Sequence, residues 1–375
     1  MKKLVFLILC LEGAVLSFNV GATSALIPSI AGEFRLPFFT AGKIVWLYLL
    51  PYAIAALFYA PLVRIFNARK IELICLILFS LANLLAGLAP NIFLLFSARV
   101  LMGIFGASVI PLAIILIAKN IPRNERAKKI GVFFGVTFGA SLLGLFLSGI
   151  LHWRLIYIIP AGAGFLLWIF MFFYFPAFKE EAGTFKFNYL AALTNKRVLF
   201  IFIYIFCISL IYHGIQHWLS VYFTQDFGLR QFLISMLIAL TGLSGIFGEI
   251  FGGYFADRLG RNSTAGLGML LMLASICFLI LKLPPGYLAA IMILWGLGWT
   301  FNHAALSAKL ADLPLDFVPE AAGLNSSVRF LSAGIGAWLG GVLMQQGFKF
   351  SFITFGVGLV VLALISKPLL NKNGG

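Results

Sequence analysis

The chain has 375 residues, of which 62% are hydrophobic, 15% aromatic and only 10% charged. A soluble globular domain carries roughly a quarter charged residues, so a water-soluble enzyme, a disordered chain and a secreted disulfide scaffold are all excluded, and a polytopic membrane protein is left. The net charge of +15 does not point to nucleic acid, because Lys and Arg fall in short clusters between apolar runs, as membrane topology requires.

A helix of about 20 residues crosses ~30 Å of hydrocarbon with every backbone polar group satisfied internally. Twelve runs predict such spans: 4–30, 41–63, 71–89, 92–118, 130–151, 155–177, 199–223, 232–254, 263–282, 287–309, 323–345 and 351–366. The first follows Lys2 and Lys3 as a signal peptide would, yet it continues to Pro28 without an A-x-A site, so we expect an uncleaved span. The four cysteines, Cys10, Cys75, Cys207 and Cys277, lie singly inside apolar runs and read as small buried hydrophobes.

An ionisable side chain deep in a span costs at least a few kcal/mol unless paired or hydrated, so each is a functional candidate. Span 1 offers Glu12, ~12 Å deep, with Asn19 beyond it. Span 4 holds Arg99, ~19 Å from the inner face, whose side-chain reach brings Glu12 within range as a partner, while Asn19 lies nearer it in depth. Along span 5, Gly131, Gly135 and Gly139 recur on one face, which predicts close approach of a neighbouring helix or a smooth face for movement. Span 7 carries His213, Gln216, His217 and Trp218, and span 10 carries Trp295, Trp299, Asn302 and His303. Such residues line cavities or hydrogen-bond between helices, and in a cavity they suit a planar or aromatic substrate. His213 and His217 stand one turn apart, but no Cys or carboxylate completes a ligand set, so no metal is expected. A histidine here is also a candidate to titrate during transport. Glu249 in span 8 and Arg329 in span 11 lie at equal depth, which predicts a structural or gating ion pair.

With the N-terminus inside, 19 of the 27 basic residues fall on the cytoplasmic side and six (Arg35, Lys43, Arg154, Arg230, Lys282, Lys349) outside, which places both termini in the cytoplasm. The sequons at Asn262 and Asn325 then face the cytoplasm and are read as chance.

A shift of 192 superimposes Pro122 on Pro314, Gly131 on Gly323, Gly144 on Gly336 and Gly149 on Gly341, and a shift of 193 lays Ala60 to Arg64 over Gly253 to Asp257. The chain therefore divides into a six-helix bundle over 1–178, a cytoplasmic linker over 179–197 and a second six-helix bundle over 198–375. The segment Gly253-Tyr-Phe-Ala-Asp257-Arg258-Leu-Gly260-Arg261 resembles, almost letter for letter, the signature loop of the major facilitator superfamily. Arg99-Val-Leu-Met-Gly103-Ile-Phe-Gly106 resembles that family's fourth-helix motif, and Ala140-x3-Gly144-Leu145-x2-Ser148-Gly149 resembles its antiporter motif, with Leu145 in place of a proline. The resemblance covers the whole chain. It implies an all-α membrane fold of twelve transmembrane helices in two pseudo-symmetric bundles, alternating access around a central site, and the drug or metabolite:proton antiporter branch, in the plasma (inner) membrane.

In the antiporters that this chain resembles, a first-helix carboxylate and a fourth-helix Arg exchange protons and substrate, so Glu12 and Arg99 lead the pathway candidates. Asn19, His213, Gln216, His217, Trp218, Trp299, Asn302 and His303 complete them. The signature loop implies a latch in which Asp257, flanked by Gly253, Arg258, Gly260 and Arg261, meets the positive end of span 5, whose start carries Arg126, Lys128 and Lys129. In the first half the matching residue is Arg64, a departure from the family's Asp, while the loop expected to face it is acidic, with Asp312, Asp316 and Glu320. A charge-swapped second latch is one reading; solvated loops that only set topology are the plainer one.

No GxxxxGK[ST] loop, HExxH pair or GxSxG elbow occurs, so neither an enzyme nor a cofactor is expected. The leading reading is a monomeric secondary active transporter that exports small organic molecules in exchange for protons. The rival is a facilitator or symporter for an organic anion with Arg99 as anchor. A non-transporting membrane sensor or partner protein is a third, against which the compact loops argue.

Overall fold

The computed structural model describes residues 3–63, 65–176, 194–311 and 318–371. Twelve helices in it are long and apolar enough to cross a membrane: Lys3–Ala25, Phe38–Tyr59, Ala68–Gly87, Ile92–Ala118, Lys128–Ser148, Trp153–Tyr174, Val198–Phe227, Gln231–Arg258, Arg261–Ile280, Pro285–Leu310, Leu324–Met344 and Phe348–Ser366. They are numbered as spans 1 to 12. The predicted runs coincide with them to within a few residues, except that the end of the first run forms a separate helix, Ile27–Phe34. No strand occurs among the described residues, and the protein is an all-α integral membrane protein. The predicted linker lies mostly outside the described residues, as do Arg64, Asp312, Asp316 and the side chain of Glu320.

Local chemistry sets the helix starts. The side chains of Asn67 and Asn91 accept from the backbone N–H of Arg69 and Leu94, each at 2.9 Å, at the N-termini of spans 3 and 4. Pro37 and Pro122 take the same place before span 2 and before the helix Arg123–Ser148 that contains span 5. Large apolar side chains such as Phe93, Leu166, Phe173 and Leu364 face outward. That is the solution for a chain whose solvent is hydrocarbon, where such exposure carries no penalty. Three spans break where polar residues sit: span 1 at Phe18–Asn19, span 4 at Ala107–Ser108 and span 7 at His217–Trp218.

The chain forms two compact units, Met1–Phe187 and Asn188–Gly375. Within the first, span 1 packs on span 5, span 2 on span 4 and span 3 on span 6; within the second the same pairings recur as 7 on 11, 8 on 10 and 9 on 12. The repeat holds at the level of single contacts. A Cβ on Gly144 would collide with the carbonyl oxygen of Phe18, and a Cβ on Gly336 with that of Leu210, both members displaced by 192 residues. Gly103 against Tyr48 O and Gly296 against Thr241 O form a second such pair, displaced by 193. Lipid supplies no hydrophobic drive between helices, so backbone-to-backbone packing at glycine is what holds these spans together. One expectation fails here: nothing lies within 4 Å of a Cβ on Gly131, Gly135 or Gly139, so the close approach belongs to Gly144 and the predicted stripe fronts open space.

Candidate functional site

In the first unit, span 1 and span 3 face each other across two polar rungs. Glu12 and Glu72 are 1% and 0% exposed, and their carboxyl groups are within hydrogen-bonding contact of each other. Among the described residues no cation meets either one, and all four carboxylate oxygens lack any other partner. Two bare carboxylates in contact inside an apolar bundle repel and are unhydrated, so one proton between them is the arrangement that satisfies both. Cys75 and Tyr59 stand beside the pair, with the Cys75 thiol 3.5 Å from the Tyr59 hydroxyl, which in turn donates to Ile104 O at 2.8 Å. Farther along, Asn19 Nδ2 donates to Asn83 Oδ1 at 2.5 Å, and Asn83 Nδ2 to Phe79 O at 2.9 Å. Asn19 follows the break in span 1, so its placement comes from that interruption.

Glu12 therefore meets Glu72 and not Arg99, whose reach was expected to close the difference in depth between them. The Arg99 guanidinium, 1% exposed, lies 4.4 Å from the Tyr48 ring centre and 5.8 Å from that of Tyr157, and its Nε donates to Ile44 O at 2.9 Å. Cation–π contact and one carbonyl replace the expected carboxylate. The phenol oxygens of Tyr48 and Tyr157 are buried without partners.

In the second unit, aromatic and imidazole rings gather between spans 7 and 10. Tyr212 stacks on Trp295 at 5.0 Å and 19° and on Trp299 at 4.3 Å and 10°. His213 meets Tyr212 and Trp299 edge-on at 5.0 and 5.4 Å, and stacks on His217 at 5.1 Å. Gln216 ties the wall together, accepting from Trp295 Nε1 at 2.8 Å and donating to Thr241 Oγ1 at 3.3 Å. His213 Nδ1 and both nitrogens of His217 are buried without partners. Trp218 and Asn302 differ from these neighbours, because their polar atoms are spent within the packed interior. Trp218 Nε1 donates to Ala337 O at 2.8 Å; Asn302, 0% exposed, accepts from the Tyr204 hydroxyl at 3.0 Å and donates to Gly298 O at 3.1 Å.

The expected Glu249–Arg329 pair does not form. Glu249 Oε1 lies 2.6 Å from His303 Nδ1, one turn along span 10 from Trp299, an ion-pair contact when the imidazole is protonated. The Arg329 Nε donates to Asn325 Oδ1 at 2.8 Å, and its Nη1 and Nη2 are buried with no hydrogen-bond partner among the described residues.

At the end of span 8, Gly260 turns the chain directly into span 9 with φ 88°, a conformation that favours glycine. Arg261 Nη1 then donates to Ala308 O at 3.0 Å, and Arg258 lies 4.5 Å from the Tyr254 ring, while Asp257 and Gly260 are exposed. Within its own unit the signature loop thus ties span 9 to span 10.

At the opposite end of the first unit, Glu33 gathers three donors: Trp153 Nε1, and Arg154 through Nη2 at 2.7 Å and Nε at 3.1 Å. Arg154 Nη1 continues to Gly87 O and Ala89 O at 3.0 and 2.8 Å, and His152 Nε2 lies 3.4 Å from Glu33. Partial burial works to raise the Glu33 pKa, but the hydrogen bonds from Arg154 and Trp153 and the nearby positive charge outweigh it and hold the carboxyl below its usual range. The second unit has its own acid at the equivalent place, Asp226, bound to Lys282 at 2.6 Å.

Sequence reasoning missed Glu72. It lies at the start of the predicted third span, 71–89, whereas the helix starts at Ala68 and Glu72 is buried. Its signal was a single acid inside the apolar run Ile71 to Phe79.

Residues 9–332 match the sequence profile of the Major Facilitator Superfamily. The inner membrane transport protein YdhP of Escherichia coli (strain K12) is 26% identical over 367 residues, 94% of this chain and 92% of that one. A probable sugar efflux transporter of Helicobacter pylori (strain P12) is 25% identical over 355 residues, 90% of this chain and 88% of that one. Among solved structures, a bacterial homolog to the human lysosomal transporter Spinster, inward-facing and unoccupied, superimposes with a TM-score of 0.81 at 15% identity, covering 99% of this chain and 98% of that one. The nucleoside transporter NupG does so with a TM-score of 0.79 at 14% identity over 100% of both chains. At these identities the structural likeness speaks to the fold alone.

Proposed function

We propose that this chain, which belongs to the major facilitator superfamily and is a membrane transporter, exports small organic molecules in exchange for protons by alternating access. The observation that carries the reading is the Glu12–Glu72 contact. A pair of buried carboxyl groups with no cation is stable only while it holds a proton, and losing that proton strands a charge in the bundle that water must then reach. Proton release is thereby tied to opening, which is the requirement for coupling. The excess of basic residues near the N-terminus and in alternate loops supports cytoplasmic termini in the plasma (inner) membrane, with the pair toward the cytoplasmic side. We take the working unit to be a monomer.

Purified protein in liposomes under an imposed pH gradient tests this. The relative named a probable sugar efflux transporter makes radiolabelled monosaccharides one panel, and fluorescent dyes make a second. Glu12→Gln with Glu72→Gln should abolish gradient-driven accumulation while leaving passive substrate exchange. Undiminished proton-driven accumulation in the double variant would remove the pair from coupling.

A further inference from the structure

The second unit holds a buried arginine whose guanidinium is only partly engaged among the described residues. Arg329 is anchored at its Nε by Asn325, and its backbone carbonyl lies 3.5 Å from Ser209 Oγ on span 7, one turn before His213. Its two terminal nitrogens, which form the planar fork that matches a carboxylate, are buried and meet no hydrogen-bond partner among the described residues. Arg99, by contrast, spends its guanidinium on Ile44 O and two tyrosine rings. Buried donors are almost always satisfied in native proteins, and a buried guanidinium whose fork is empty marks a place where something else completes the structure. Glu249 does not do so: it is within electrostatic reach of Arg329 but contacts His303. Arg329 is also within electrostatic reach of His213, whose ring abuts the flat surface of Tyr212 and Trp299. An unpaired fork and a stacked aromatic wall therefore share one neighbourhood.

We propose that the transported substrate is a planar organic anion, with its carboxylate or equivalent acidic group held by Nη1 and Nη2 of Arg329 and its ring against Tyr212 and Trp299. This rests on the reading of the protein as a carrier of small organic molecules and narrows it to a chemical class. The two components have different consequences: the fork discriminates charge, and the wall binds any flat ring. Glu249, near the fork yet committed to His303, is a resident competitor for the same cation.

The test is binding to the purified full chain in detergent, with no gradient, so that failure of proton coupling and failure of this assignment are separable. The probes are 1-naphthoate and its uncharged isostere 1-naphthamide, followed by calorimetry. Wild-type protein should bind the acid at least about tenfold more tightly than the amide, the margin expected of a charge-assisted bidentate contact. Arg329→Gln should erase that preference while retaining the amide, and Arg329→Lys should restore part of it. Glu249→Gln should tighten the acid and not the amide. Should Arg329→Gln fail to fold, competition on the wild type decides: inorganic phosphate should displace naphthoate and leave naphthamide bound. Equal affinities for acid and amide, or a preference that survives Arg329→Gln or phosphate, would overturn the assignment. A preserved acid preference in protein that moves no protons would leave it standing and sink the coupling reading instead.

Discussion

The two units share a scaffold and divide the chemistry. Their glycine contacts repeat at fixed displacements, Gly144 on Phe18 with Gly336 on Leu210, and Gly103 on Tyr48 with Gly296 on Thr241. Their polar residues do not. At the same displacements Glu12 becomes Tyr204, Asn19 becomes Ile211 and Arg99 becomes Met292, while His213, Trp299 and Arg329 of the second unit correspond to Gly21, Gly106 and Thr137 of the first. Even the rim acids, Glu33 and Asp226, occupy matching places but find different cations, Arg154 in one and Lys282 in the other. Packing between helices depends on shape alone, so it survives duplication unchanged. The polar side chains are not part of those glycine contacts and differ between the units, a carboxyl pair in the first and stacked aromatic and imidazole rings in the second.

The largest expected effect tests the shared scaffold. Gly144→Leu and Gly336→Leu each drive a side chain into a backbone carbonyl, which cannot give way as a side-chain tip would, and each should cost more than the about 3 kcal/mol of ordinary overpacking. Both variants should lose monodisperse protein on size exclusion, whereas Gly139→Leu, fronting open space, should behave as wild type. A mild phenotype at one of the two glycines would break the equivalence.

Next in size, Arg99→Met installs the second unit's own residue at the corresponding site. Loss of one charge-assisted hydrogen bond and a cation–π contact is offset by removal of a buried charge, so thermal stability should shift by no more than about 2 kcal/mol. Transport in liposomes should nevertheless fall at least tenfold, by about the 1.4 kcal/mol or more that such a change represents. Full transport by a strongly destabilised Arg99→Met would make the arginine a packing element.

A smaller effect concerns the turn after Ile27–Phe34. Arg35 is left-handed at φ 51°, and its counterpart in the second unit is Gly228 at φ 61°. Arg35→Gly should stabilise the protein by about 1 kcal/mol, read as a rise in melting temperature. Gly228→Arg should do the reverse.

The smallest is a dependence on acid. Because the folded Glu33 carboxyl is held below its ordinary range, its contribution is complete above the unfolded carboxyl pKa of about 4.3 and is lost as pH falls through the lower folded value. The difference in stability between wild type and Glu33→Gln should thus be constant from neutral pH down to about pH 5 and shrink in stronger acid. A difference that grows on acidification would contradict the hydrogen-bonded carboxylate.

How much of this was visible in the chain depended on dimension. Hydropathy over about 20 residues is a one-dimensional property, and it located all twelve spans; the internal repeat is another, and it reappears in the glycine contacts. Pairing is not one-dimensional. Depth along a span does not say which neighbouring helix a side chain meets, and neither predicted ion pair formed. Glu12 points at span 3 instead of Arg99, and Glu249 at His303 instead of Arg329. Asn302 reads as a cavity residue until Tyr204, one helix away, is seen to occupy its amide.

Span 4 is jointed at Ala107–Ser108, with Ile92–Gly106 on one side and Val109–Asn120 on the other, whereas span 10, its counterpart, continues without a break through Leu288–Ala311. In mechanical language the second unit has a rigid lever ~36 Å long, able to carry a displacement at Trp295 through to His303 and beyond. The first has a compliant element in its place, which absorbs strain at its midpoint instead of transmitting it. A force arising at the aromatic wall on span 10 and one arising at Arg99 on span 4 therefore travel along their helices with unequal stiffness.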